Sequence, residues 1–262
     1  MGDSLEAAIV SFTTGLLFVA VIALFRKDVR SGFRQIFSAV NLKLLPSWRL
    51  GAGALGASFV AMQTYAVPIA GVALFTVASL AGQTGISLWV DHVGLAGGSR
   101  VIITKRRVIA AIITILAVVV STWDRFTISN FSLLTIVLAV FSGTWVGVQR
   151  ALNGQINSYS KASFATSLLN FITGTTFLLF LLLLRTLFTD HSVMNFTSGP
   201  WWMFLGGSIG VIYIALSAHI VQHVGVLEFT LFSVGGMLIG SLLIDIIVPT
   251  KGTVISGFLI SG

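Results

Sequence analysis

Residues 46–91 read PSWRLGAGALGASFVAMQTYAVPIAGVALFTVASLAGQTGISLWVD, and residues 200–245 read PWWMFLGGSIGVIYIALSAHIVQHVGVLEFTLFSVGGMLIGSLLID. A shift of 154 overlays the two without a gap, and fifteen of the 46 positions are identical. Chance in an apolar composition would match Leu and Val. It would not so readily align Pro46 with Pro200, Trp48 with Trp202, Gly53 with Gly207, Gly56 with Gly210, Gly71 with Gly225, Gly82 with Gly236 and Asp91 with Asp245. A second block agrees. Ser4, Phe12, Thr14, Gly15, Phe18, Leu24 and Arg26 return 159 residues later as Ser163, Phe171, Thr173, Gly174, Phe177, Leu183 and Arg185. The blocks keep their order, so the chain is a duplication, divided as 1–125 and 126–262.

The repeat lies in a chain of 262 residues, 56% hydrophobic and 9% charged. Soluble domains carry about 25% charged residues, so a soluble globule is excluded. With no cysteine, so is a disulfide scaffold. A membrane helix needs about 20 apolar residues to cross about 30 Å of hydrocarbon. Eight runs qualify: 5–25, 50–70, 72–92, 107–123, 130–150, 162–184, 201–221 and 226–248. A ninth, 253–262, is too short to cross. The runs are continuously apolar rather than alternating, which excludes a β-barrel. The fold class is therefore an all-α polytopic membrane protein. Run 5–25 is too long for a signal-peptide core, and its basic residues follow it rather than precede it.

The span preceding Ser163 has no equivalent before Ser4, so the complete unit is read as five spans. The expected parent has ten, with the first and last missing or truncated here. Five is odd, so the two copies cross the membrane in opposite directions, an inverted repeat. The charge distribution, which is independent of the repeat, agrees. If the chain crosses at every run, twelve of the fifteen basic residues fall on one side: Arg26, Lys27, Arg30, Arg34, Lys43, Arg49, Arg100, Lys105, Arg106, Arg107, Arg150 and Lys161. The positive-inside rule makes that side cytoplasmic, so loops 26–49, 96–107 and 151–161 face the cytoplasm. The net charge of +7 thus reports orientation rather than nucleic-acid binding. Within 26–49, Phe33, Ile36, Phe37, Val40 and Leu44 share a helical face suited to the inner leaflet. Trp123, Trp145, Trp201 and Trp202 are expected at span ends as interfacial anchors.

The stretch from Pro46 through Trp48, Gly53, Gly56, Pro68, Gly71-Val72-Ala73-Leu74-Phe75, Gly82-Gln83 and Asp91-His92-Val93-Gly94 resembles the YdcZ-like inner-membrane exporters of bacteria, within the drug/metabolite transporter superfamily. Gln149-Arg150-Ala151-Leu152-Asn153, with Ser167 to Gly174, resembles that family's first two spans. The resemblance implies two inverted five-helix halves, alternating access and a small-molecule cargo. The second copy departs from the pattern. It has Met237 in place of Gln83, Ile246 in place of His92 and Glu228 in place of Leu74.

Polar groups in hydrocarbon cost free energy unless paired or facing water, so polar residues within spans are the pathway candidates. These are Gln63, Gln83, Gln149, Asn153, Asn170 and His219. Gln149 and Asn153 are four apart and share a face. Glu228 is the acidic residue displaced into a span and the candidate for proton coupling. His219 and His223 share a face but lack a third ligand, so no metal site is expected, and no cofactor. The chain has no His-Glu-x-x-His, Gly-x-Ser-x-Gly or Walker pattern, which argues against an enzyme. The expected function is a secondary-active exporter of a small solute by alternating access, in exchange for protons. A passive channel and a non-transporting membrane assembly protein are the rival classes. The expected partners are the lipid bilayer and the solute, with a homodimer as the assembly considered.

Overall fold

The structure, a computed structural model, describes residues 4–98, 100–121, 123, 133–188 and 204–247, and the side chains at 121, 241, 242 and 244–247 lie outside that description. Within it are nine α-helices and no strand. They are α1 (Ser4–Phe25), α2 (Lys27–Asn41), α3 (Ala52–Ala70) entered through a 3₁₀ turn at Ser47–Gly51, α4 (Val72–His92), α5 (Lys105–Ser121), α6 (Leu133–Ser160), α7 (Ser163–Phe188), α8 (Leu205–Val224) and α9 (Val226–Ile247). Six of them are long and apolar enough to cross a membrane: α1, α3 with its 3₁₀ turn, α4, α6, α7 and α8. Helix α5 has 17 residues and α9 has 22. The run 253–262 and the anchors Trp201 and Trp202 lie outside the described residues.

Backbone geometry punctuates both copies alike. Gly71 (φ 82°) separates α3 from α4, and Gly225 (φ 90°) separates α8 from α9. Both sit in the left-handed region where a Cβ is strained, and they are partners under the 154-residue shift.

One boundary differs from the sequence reading. The fifth span was expected to end at 150, with a loop at 151–161. Instead α6 runs on to Ser160. The extension is polar but buried: Asn153 is 2% exposed and Asn157 3%. Asn157 accepts a hydrogen bond from Thr166 Oγ1 at 3.3 Å. Tertiary hydrogen bonding supplies what apolarity does not. Trp145 therefore lies inside α6, against Phe141, and not at a span end.

Helix α2 is separate, as expected, and docks on the bundle. Its buried residues are Val29, Gly32, Ile36 and Ala39. Gly32 fits against Ala162 and the Ser160 carbonyl at the α6–α7 turn. Phe37 and Leu44 stay exposed. The apolar face is thus shared between the bundle and the outside. At the α1–α2 corner, the hydrogen bond from Arg26 holds the exposed Asp28 carboxyl below the usual carboxylate range.

Apolar attraction does not hold helices together in lipid, because lipid tails are as apolar as leucine; close packing and polar pairing do. The outward faces carry exposed Leu17, Leu24, Phe180, Leu183 and Ile209, a surface suited to hydrocarbon. The inward faces meet at small residues. A Cβ on Gly82 would overlap the Val140 carbonyl, and one on Gly143 the Ser79 carbonyl, so α4 and α6 are in backbone contact. Gly53 meets the Asn170 carbonyl of α7, and Gly207, its repeat partner, meets the Ser11 carbonyl of α1. Gly85, Gly236 and Gly240 have nothing within 4 Å.

The two copies also meet reciprocally. Phe12 and Phe171 are repeat partners, and their rings lie 5.2 Å apart. A Cβ on Gly15 would strike the Phe171 ring, and one on Gly174 the Phe12 ring. Farther along, Arg26 at the end of α1 stands 5.5 Å over the ring of Phe164 at the start of α7. Helices α1 and α7 therefore run antiparallel, each ring seated in the notch of the other.

Candidate functional site

A cavity of about 380 Å³ opens between the copies, within the size range of small-ligand pockets. Helices α1, α3, α4, α6, α7, α8 and α9 all contribute to its wall. Many lining residues are repeat partners: Phe12 with Phe171, Gly56 with Gly210, Phe59 with Tyr213, Thr76 with Thr230, and Ser79 with Ser233. The cavity thus draws its wall from both halves of the sequence.

Three of the sequence candidates line it: Gln63, Gln83 and Gln149. Gln83 is 5% exposed, and its Oε1 has no hydrogen-bond partner. Met237 occupies the partner position of Gln83 and lines the same cavity, so the two walls differ there. Gln149 packs its amide on Gly56, where a Cβ would collide. Its Nε2 donates to Asn170 Oδ1 at 3.1 Å, and Asn170 Nδ2 donates to Asn153 Oδ1 at 2.9 Å. Asn170 and Asn153 are therefore links in an amide chain joining α6 to α7, behind the wall.

His219 lies elsewhere. It is exposed, with its ring 5.2 Å from His223. Glu228 is at the start of α9, outside the cavity lining. It accepts hydrogen bonds from Arg107 Nε at 3.0 Å and Nη2 at 2.7 Å. The same Nη2 donates to Asp91 Oδ2 at 2.6 Å. Asp91 also accepts the backbone N–H groups of Val226 at 2.7 Å and Leu227 at 3.0 Å. A carboxylate is disfavoured at the end of its own helix but favoured at the beginning of another. Asp91 ends α4 and caps α9.

The sequence reading missed Arg150, which it counted among the charges that orient the chain. The structure buries it to 8% exposure in the cavity wall. Its Nη1 donates to Thr230 Oγ1 at 3.0 Å and its Nη2 to Tyr213 Oη at 2.7 Å. Thr230 gives its own proton to the Val226 carbonyl at 2.7 Å, leaving an oxygen lone pair for Arg150. The guanidinium lies 5.8 Å from the Tyr213 ring centre and 5.5 Å from that of Phe229, within cation–π range. The signal available in the sequence was the polar face 149, 153 and 157, which carries the helical spacing past residue 150.

The comparisons with known proteins fit this architecture. A family model described as "Putative inner membrane exporter, YdcZ" matches residues 1–120 and 134–255. A solved crystal structure is similar at a TM-score of 0.63 and 15% identity, covering 98% of this chain and 82% of that one. At that identity the likeness concerns the fold alone. No curated protein matches the chain.

Proposed function

The chain belongs to the YdcZ family, a group of multi-pass inner-membrane proteins, and from that premise we propose that it is a secondary-active transporter exporting a small solute by alternating access. The central observation is the cavity lined by repeat partners. Secondary transporters built from inverted repeats hold their substrate where the repeats meet, and rock around it. The antiparallel ring-and-notch contact between α1 and α7 supports the inverted arrangement of two copies, 1–125 and 126–262. Segments 26–49, 96–107 and 151–161 then face the cytoplasm.

Export is coupled to proton entry in this reading, and Glu228 is the carboxylate assigned to it. Glu228 is the more exposed member of the Arg107 pair, with its side chain 36% exposed against 1% for Asp91. When Glu228 takes a proton, Asp91 still holds Arg107.

Topology is tested without knowing the cargo. The chain has no cysteine, so single cysteines at Arg30 and Phe188 give unambiguous labelling from either side of the membrane. Opposite faces are expected, and the same face refutes the inverted repeat. Transport is tested in proteoliposomes loaded with a metabolite extract, reading exit by mass spectrometry. Saturable exit that collapses with an uncoupler is expected. Exit unaffected by the uncoupler selects the channel, and no exit at all selects the assembly protein. Gln83→Ala is expected to slow exit more than Ser87→Ala, because Gln83 faces the cavity whereas the Ser87 hydroxyl donates to the backbone at 2.5 Å. Equal rates at matched expression remove Gln83 from the site.

A further inference from the structure

We infer that Arg150 is the anchor for a small organic monoanion, a carboxylate on an apolar body, bound in the cavity between the copies. This deepens the transporter reading, since it treats that cavity as the binding site.

The first ground is charge. A guanidinium stays protonated inside proteins, and a buried charge without a counter-charge is costly. The described carboxylates are Glu6, Asp28, Asp91 and Glu228. Asp28 pairs with Arg26, and Asp91 and Glu228 with Arg107. Glu6 is in the first turn of α1, outside the cavity lining. Arg150 has instead two hydroxyl oxygens and two ring faces, which disperse its charge without neutralising it. Its Nε has no hydrogen-bond partner. The side chain is therefore held in place in the cavity wall, its charge unneutralised by any described carboxylate.

The second ground is the rest of the wall. Among the described residues, the lining contains no Lys, no His and no second Arg. A doubly charged phosphate would have one charge unmet, so a single negative charge fits. Among the described residues it contains no Asp or Glu either, so an ammonium group would find no ion-pair partner there, and a simple carboxylate fits better than a zwitterion. Phe12, Phe59, Phe75 and Phe171 supply ring surface for an apolar body. Gln83 lines the same cavity, and its buried Oε1 has no hydrogen-bond partner. Arg suits this task better than Lys because its fork meets both carboxylate oxygens.

The test is binding by the purified chain in nanodiscs, read as thermal stabilisation. The probes are benzoate, its neutral isostere benzamide, hexanoate and chloride. Benzoate and hexanoate are expected to stabilise the protein, and benzamide and chloride are not. Arg150→Gln should weaken benzoate binding about tenfold to a hundredfold, the usual worth of a hydrogen bond to a charged group. Arg150→Lys should retain part of it, and Arg106→Gln, at an exposed position, should retain all of it. If benzamide or chloride stabilises as well as benzoate, or if a folded Arg150→Gln binds benzoate unchanged, the proposal is overturned. No stabilisation by either carboxylate overturns it as well. Should Arg150→Gln fail to fold, the benzoate-to-benzamide ratio of the unmodified chain and of Arg150→Lys decides. Benzoate that binds through Arg150, in a chain that carries no solute out of the loaded proteoliposomes, leaves the anion site standing and refutes the transporter. Exit of neutral solutes with no benzoate effect does the reverse.

Discussion

Arg107 and Arg150 are both withdrawn from water in this bundle, and they are held in opposite ways. Arg107, at the first turn of α5, has its side chain 11% exposed and meets both Asp91 and Glu228. Asp91 in turn is fixed by two backbone N–H groups of α9. Every part of that cluster ties one helix end to another: α4, α5 and α9 are joined at one point, and the cation meets its counter-charges within the chain. Arg150 is deeper along its helix and meets no carboxylate among the described residues. It meets a threonine, a tyrosine and two rings, and it borders empty space. The first arrangement supplies its own counter-charges. The second becomes complete only with an anion from outside. Charge balance, rather than burial, separates a structural arginine from one available to a ligand.

That distinction can be broken most directly by measuring stability. Arg107→Ala strands the almost fully buried Asp91 and should lower the unfolding free energy by about 3 kcal/mol, seen as a large drop in melting temperature. Arg150→Gln removes two hydrogen bonds to neutral hydroxyls and should cost about 1–2 kcal/mol without ligand. If Arg150→Gln proves as damaging as Arg107→Ala, the two sites do not differ in kind. The smallest effect is expected for Glu228→Gln. Its carboxylate is over a third exposed, where an ion pair contributes less than about 1 kcal/mol, so its melting point should barely move. The pH dependence of solute exit should flatten in the same variant; an unchanged profile retires Glu228 as the coupling carboxylate.

The contrast also marks what the sequence could reveal. Continuous apolar runs announced the helices, because a span must satisfy its backbone internally. The repeat offset pointed to matched breaks at Gly71 and Gly225. Gln63, Gln83 and Gln149 were found because an amide within an apolar run is conspicuous. Asn153 and Asn170 were conspicuous for the same reason, yet they serve each other. Polarity alone does not say whether a partner is a neighbouring helix or a ligand. Arg150 escaped because a charge at the edge of an apolar run looks like the end of a span. Only the burial of residues 151–160 against α7 and its neighbours moves that edge ten residues on. The role of Asp91 was illegible for a related reason. Its partner is the start of a helix 135 residues away, and no local rule foresees that.

The crossed seating of Phe12 on Gly174 and Phe171 on Gly15 has an evolutionary consequence. Each copy supplies the bulge that fills the hollow in the other, so neither can drift at these four places without injuring its twin. A bulkier residue at one glycine demands a smaller ring half a chain away. The rest of the duplicated sequence is free to diverge, as Gln83 and Met237 have, while this quartet stays bound to its common origin.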